Sequence, residues 1–300
     1  DDPGARRVAL GAAARIAADV LQDLERAARD YRLRLADEPT DLEALDGLVE
    51  VLERAGHYSE LIDALAARAQ TRTDPAAARP DLVRIARLYE ETLHARLPAI
   101  LAWREVRTRA GRDEESFAAL VPLLEAESQW SDLAELVEVE AAEAADPALQ
   151  RERYRQLGEI HRNRTRRPRA AVEAFVAADD WEAAIATAAD PALAPEAGLG
   201  VCRGLLELAV AAWKKDGSAA TGAARAAAWA VEDLTARLRA LGRHAEVGEL
   251  LLGASGLPFE RQRRRELRRD AACVLQDDLG DEDHALEILR DVFAEDPGDG

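Results

Sequence analysis

Histidines, cysteines, glycine-rich loops and clustered carboxylates are what a chain uses for chemistry, and their spacing here points away from catalysis. The five histidines, His57, His94, His161, His244 and His284, have no second ligand at the helical spacing of a His-Glu-x-x-His metal site. His57, His161 and His244 fall at positions of the repeat described below that elsewhere hold Gln or Tyr, and they read as structural filler. No Gly-x-x-x-x-Gly-Lys phosphate loop, Gly-x-Ser-x-Gly elbow or strand-borne Gly-x-Gly-x-x-Gly is present, and Gly198-Leu199-Gly200 lies within a helical pattern. Cys202 and Cys273 each sit in apolar helical stretches and read as small buried hydrophobes, which favours a reducing, cytoplasmic setting over a disulfide framework. The expectation is a non-enzyme with no catalytic residue, no metal and no cofactor.

Charge is the remaining chemical signal. The net charge is −18, with 31 acids against 18 bases in residues 1–150 and 27 against 22 in residues 151–300. A phosphate-backbone binder needs a basic stripe, so a sequence pI near 4.8 argues against nucleic acid and anionic membrane as partners. No run of apolar residues reaches transmembrane length; the Ala-rich start is broken by Arg15 and Asp19. Residues 113–150 hold eleven acids and no base. Two basic clusters interrupt the acidic field: Arg162, Arg164, Arg166, Arg167 and Arg169, then Arg261, Arg263, Arg264, Arg265, Arg268 and Arg269. Each is a guanidinium cluster suited to an acidic partner or phosphate, and each also has acids beside it for pairing, such as Glu260, Glu266 and Asp270.

The elements that carry these groups repeat. Asp2-Pro3, Asp74-Pro75 and Asp146-Pro147 are 72 residues apart, as are Tyr31, Trp103 and Phe175. Leu, Ala, Arg and Glu dominate, and apolar residues recur at helical spacing with no strand pattern, which predicts an all-α chain. Residues 41–112 read as four helices: Asp41 to Arg54 stopped by Gly56, a second from Tyr58 to the Asp74-Pro75 break, a third carrying Leu82, Ile85 and Leu88, and a fourth with Ile100, Trp103 and Val106 closed by Gly111. Four helices in 72 residues make two hairpins of about 36 each. Residues 113–180 repeat the pattern, with Phe117, Leu120, Val121 and Leu124 in place of Leu45, Leu48, Val49 and Leu52. Residues 1–40 read as a partial unit, helical over Leu10–Leu24 and Ala27–Leu35. Residues 181–228 read as an irregular insert with a helix from Pro195 to Trp213 and a Lys-Lys-Asp-Gly-Ser loop. Over 229–300 the pattern returns at an offset of 186, where Ala285-Leu286 matches Ala99-Ile100. The five tryptophans, Trp103, Trp130, Trp181, Trp213 and Trp229, read as core or hairpin residues.

This helix pair resembles the tetratricopeptide repeat in a divergent form. Leu45, Leu48, Val49, Leu52, Gly56, Tyr58, Leu61, Leu65, Arg68 and Pro75 stand at that family's signature places, as do Tyr154, Leu157, Gly158, His161, Ala171 and Phe175 in a later pair, over roughly residues 5–180 and 229–296. HEAT-like pairs are the alternative. The resemblance implies a right-handed α-solenoid of antiparallel helix pairs, continuous along the chain, whose concave groove is lined from the first helix of each pair. Carried onto this sequence, those lining positions hold Glu43, Asp46, Glu50, Glu53, Arg87, Glu90, Glu91, Glu115 and Glu125. The Lys/Asn clamp by which some members hold a C-terminal carboxylate is not visible.

The reading is a protein-interaction scaffold presenting an acidic groove to a basic or amphipathic protein segment. Alternatives are a regulatory or sensor array of a larger enzyme or signalling protein, and a helical-toroid enzyme using Glu50, Glu90 and Glu125. Self-association, the basic second half of one copy meeting the acidic first half of another, is a further use of the charge asymmetry. Only Lys214 and Lys215 among 40 bases are lysines, a bias expected of a GC-rich bacterial genome. The absence of methionine and the inter-repeat link at Glu295–Asp299 predict a segment of a longer protein.

Overall fold

The computed structural model describes residues 3–217 and 220–295, among which there are sixteen α-helices and no strand. Asp1, Asp2, Ser218 and the Asp296–Asp299 part of the link lie outside the described residues. The chain forms two compact units, residues 1–129 and 130–300.

The first unit holds α1 (Pro3–Arg15), α2 (Leu24–Asp37), α3 (Leu42–Ala55), α4 (Tyr58–Thr71), α5 (Pro75–Arg87), α6 (Arg96–Ala110) and α7 (Glu114–Ala126). Each packs on the next in sequence, the arrangement of stacked helix hairpins. The starts are set by capping. Asp41 accepts from the Ala44 amide at 3.2 Å, and Asp74 from Ala76 at 3.1 Å with Pro75 at the first helical position, where its missing N–H costs nothing. Gly56 ends α3 at φ 71°, as its sequence position predicts. Ala14, Ala17, Ala27, Ala44, Leu48, Leu52, Leu61 and Leu65 form the core beneath, all nearly solvent-free.

The second unit holds α8 (Trp130–Glu143), α9 (Pro147–Asn163), α10 (Pro168–Ala177), α11 (Trp181–Ala188), α12 (Pro195–Asp216), α13 (Thr221–Ala240), α14 (His244–Ser255), α15 (Arg261–Cys273) and α16 (Glu282–Glu295). The stretch that lacks the repeat pattern contains the short α11 and two long helices. Here α12 packs on α10 and α13, and α13 also covers α11. Lys214, Lys215 and Asp216 belong to the last turn of α12; the loop expected there starts only at Gly217. Helix α13 runs through residue 228 without a break.

The periods recur in the element bounds. Helices α1 and α5 both span 13 residues, start 72 apart, and pass into π-helical turns, Ile16–Val20 and Leu88–Thr92, also 72 apart. Helix α15 with its π turn Val274–Asp278 repeats α5 at an offset of 186. In the first two, an amide reaches back five residues, Leu21 to Ile16 at 3.1 Å and Leu93 to Leu88 at 2.9 Å. The chain then turns on a left-handed residue at Gln22, His94, Arg166 and Gly280, φ 50–69°. The next amide closes each turn across six residues: Asp23 to Ala17, Ala95 to Tyr89, Arg167 to His161 and Asp281 to Leu275, all at 2.8–2.9 Å. This turn corrects the expectation of an unbroken helix from Leu10 to Leu24, because the detour falls on Gln22, a residue with no turn signature of its own.

Candidate partner-binding face

The first-helix residues singled out by the resemblance all lie in the first unit, on α3, α5 with its π turn, and α7. Cross-helix arginines, more than acidity alone, define their arrangement. Arg15 on α1 reaches Glu43 on α3 at 3.0 Å; Arg84 on α5 pairs with Glu53 on α3; Arg79 and Arg87 on α5 converge on Glu115 of α7 at 2.5 and 2.6 Å. Every step from one first helix to the next is thus bridged by an Arg–Glu pair. Arg15–Glu43 and Arg87–Glu115 are the same 28-residue contact repeated after 72 residues, so the ladder is built into the period.

The inner end of the ladder is more enclosed. Arg34, nearly buried, donates from Nε to Asp41 at 2.6 Å and from Nη2 to Glu43 at 2.6 Å. Burial alone would raise the Asp41 carboxyl, yet the Arg34 fork and the Ala44 amide together hold it below the usual range. Glu43 is lowered chiefly by the Arg34 hydrogen bond, and Glu115 chiefly by that of Arg79. Asp113 is pulled up by burial but more strongly down by the Ser116 amide and hydroxyl and by Arg79. Asp46 meets Arg68 at 2.7 Å, and Arg68 also holds the buried Asp81 at 2.6 Å.

The remaining residues are differently placed. Glu50 is 70% exposed, and its ion pair among the described residues is with Arg54, one turn along its own helix at 3.7 Å. Glu90 accepts from the indole N–H of the buried Trp103 at 3.0 Å, so part of its hydrogen-bonding capacity is structural. Glu91 and Glu125 are exposed, with no ion pair among the described residues. Asp19, the counterpart of Glu91 in the preceding period, is held by Arg54 at 3.1 Å; position 126, the counterpart of Arg54, is an alanine. The arginine partners Arg15, Arg34, Arg68, Arg79 and Arg84 were missed from the sequence, although the recurrence of an Arg and a Glu 28 apart was there to be found.

The basic cluster of the second unit is largely engaged within its own hairpin. Arg162 binds Glu159 at 2.6 Å and lies over the Phe175 ring, Arg164 stacks 4.5 Å above Trp130, and Arg169 pairs with Glu173 at 3.3 Å. Arg166 and Arg167 are the exposed remainder. The second cluster is largely paired within the chain: Arg268 grips Glu295 with two 2.8 Å bonds, Arg261 reaches the Glu295 carbonyl at 2.9 Å, and Arg263 pairs with Glu232 and Glu266, while Arg264 is exposed.

One of the two thiols and one of the histidines are enclosed. Cys202 is fully buried, donates to Asp233 at 3.0 Å, and burial pushes its thiol up to about 12, far from a nucleophilic thiolate. Cys273, expected to be buried, is exposed, because it lies on the outward side of the last turn of α15. Burial, and next Arg167, lower the His161 imidazole, which shares a 3.0 Å hydrogen bond with Thr165. No grouping of His, Cys, Asp and Glu that would hold a metal occurs among the described residues, and none of their helices is long and apolar enough to cross a membrane.

The fold defines an all-α repeat protein of antiparallel helix pairs. No family model matches the chain, and no curated protein is similar to it at a significant level. Among solved structures it is similar to the TPR2AB domain of yeast Sti1 in complex with pHSP90, at 13% identity over 95% of this chain and 98% of that one, TM-score 0.31. It is similar also to the C-terminal part of a TPR repeat-containing protein from Cytophaga hutchinsonii, at 14% identity over 92% of each chain, TM-score 0.30. The P58(IPK) TPR domain follows at 15% identity over 98% of this chain and 84% of that, TM-score 0.25. Likeness at these scores carries no statement of partner or activity.

Proposed function

We propose that the chain is a non-enzymatic protein-interaction scaffold in which the face made by α3, α5 and α7 receives a basic or amphipathic protein segment. The observation that carries this reading is the row of outward carboxylates on that face: Glu43, Asp46 and Glu50 are 56–70% exposed, and among the described residues Glu50, Glu91 and Glu125 have no cross-helix arginine. The ladder arginines fix the spacing of the row, and the unbridged carboxylates give an incoming Lys or Arg somewhere to bind without breaking it. Attraction of this kind speeds association and is weakened by salt. A bacterial, cytoplasmic setting belongs to the same proposal, supported by free thiols and by arginine in place of lysine.

Selection of a random peptide library on the immobilised chain tests it. Enrichment of Lys/Arg-bearing peptides at low salt is expected, lost at high salt and in the triple variant Glu50→Gln, Glu91→Gln, Glu125→Gln. Enrichment unchanged by the triple variant would overturn the reading.

A further inference from the structure

Helices α2, α6, α10 and α16 follow the same left-handed turn and are related by the offsets of 72 and 186. Each presents two positions to solvent, one turn apart on one side of the helix. In α2 these hold Glu25 and Arg29, in α10 Arg169 and Glu173, and in α16 Asp283 and Glu287, all of them exposed; the α10 residues pair at 3.3 Å. In α6 the same two places hold Leu97 and Leu101, 53% and 66% exposed. The fold has no need of apolar residues there, since three sister helices carry charges. Nor does a chain end expose them, because α5 and α7 both pack on α6.

Leu97 borders a cleft of about 630 Å³ at the α5–α6 turn, with Ala95 and Pro98 beside it, the nearly buried Leu123 of α7 as an apolar wall, and Glu90 and Glu127 as its carboxylates. Arg96 meets Glu127 at 3.5 Å. Glu91 and Glu125, one and two residues from the cleft carboxylates, are exposed. A lone surface leucine is ordinary, but a pair on one side of a helix, beside a cleft with an apolar wall, marks a docking place. We propose that the segment received by the α3, α5 and α7 face is a basic amphipathic helix, whose apolar side chains pack on Leu97 and Leu101 at this cleft while its Lys or Arg residues meet Glu91 and Glu125. This rests on the reading of that face given above, and adds the partner's apolar stripe and the place where it sits. Four carboxylates in and beside the cleft, against Arg96, favour a basic helix over an acidic one. A second copy, with its net charge of −18, is the poorer match.

The probe is a random peptide library selected on the intact chain and on the variant Leu97→Glu with Leu101→Arg. That variant installs the residues of α2 at exposed sites and leaves the net charge unchanged, so it should melt with the parent. The parent is expected to enrich peptides with two Leu, Phe or Trp residues three or four apart beside Lys or Arg. The best of them, fluorescently labelled and followed by anisotropy, should bind the variant about tenfold more weakly, and Leu101→Ser alone should weaken it in part. Enriched peptides that carry Lys or Arg with no apolar preference, or an affinity unchanged in the variant, overturn the inference and leave the carboxylate face standing. No enrichment, or enrichment indifferent to the Glu50, Glu91, Glu125 triple variant, overturns that reading and this one with it. A dimer in sedimentation that Leu97→Glu with Leu101→Arg abolishes also overturns the inference, a second copy then being the occupant.

Discussion

At the scale of single residues, the left-handed turn is the place where this sequence works against its own backbone. Gln22, His94 and Arg166 adopt φ 50–56°, where a side chain crowds the following carbonyl, and only Gly280 meets the same turn with glycine. We expect His94→Gly to stabilise the protein by about 1 kcal/mol in urea denaturation, and Gly280→Ala to cost about as much. A drop in stability for His94→Gly would show that its side chain does more for the fold than its backbone costs. The two thiols should separate cleanly: Cys273 reacts with a thiol reagent in the native protein, whereas Cys202, with its thiol raised to about 12, reacts only on unfolding. Two reactive thiols in the folded state would contradict the burial of Cys202. Neither distinction was legible in the sequence. A non-glycine residue gives no turn signal, and the side of a helix on which Cys273 falls depends on what packs against it.

Among the elements, the α4–α5 junction carries, like Arg34–Asp41, an enclosed ion pair of the first unit. Arg68 is 16% and Asp81 3% exposed, and Arg72 adds a contact to Asp81 at 3.3 Å. Removing one partner strands the other, so Asp81→Ala should cost about 3 kcal/mol, whereas Arg68→Met with Asp81→Leu should cost much less. Equal losses in the two variants would mean that the pair contributes net stability instead of only satisfying itself. Seventy-two residues on, these positions hold Glu140 and Arg153, the same two charges exchanged. The helix starts were readable because Asp-Pro and Gly56 act through the local backbone. The Arg–Glu ladder was not, because it joins residues 28–36 apart that become neighbours only after hairpins stack. The sequence therefore pointed to carboxylates of this face and not to the arginines that half-neutralise it.

For the molecule as a whole, acid pH is the sharper probe of these pairs. Asp41, Glu43, Asp113 and Glu115 have carboxyls lowered in the folded state, so their stabilisation is complete above the ordinary carboxylate range and is lost as pH falls through it. The melting temperature should be flat above about pH 5 and fall below about pH 4, and Arg34→Met should flatten the part of that slope owed to Asp41 and Glu43. An unaltered slope in Arg34→Met would remove Arg34 from the account of acid stability. The recurring turn has a different consequence. Because Gln22 and His94 share one backbone detour and one pattern of closing hydrogen bonds, joining Gln22 directly to Ala95 asks for no new geometry at the junction. Such an excision removes one full period and leaves the capping of every later helix intact. In that sense the chain behaves as a string of cassettes, whose length can be edited at a few matched splice points without redesigning what lies between them.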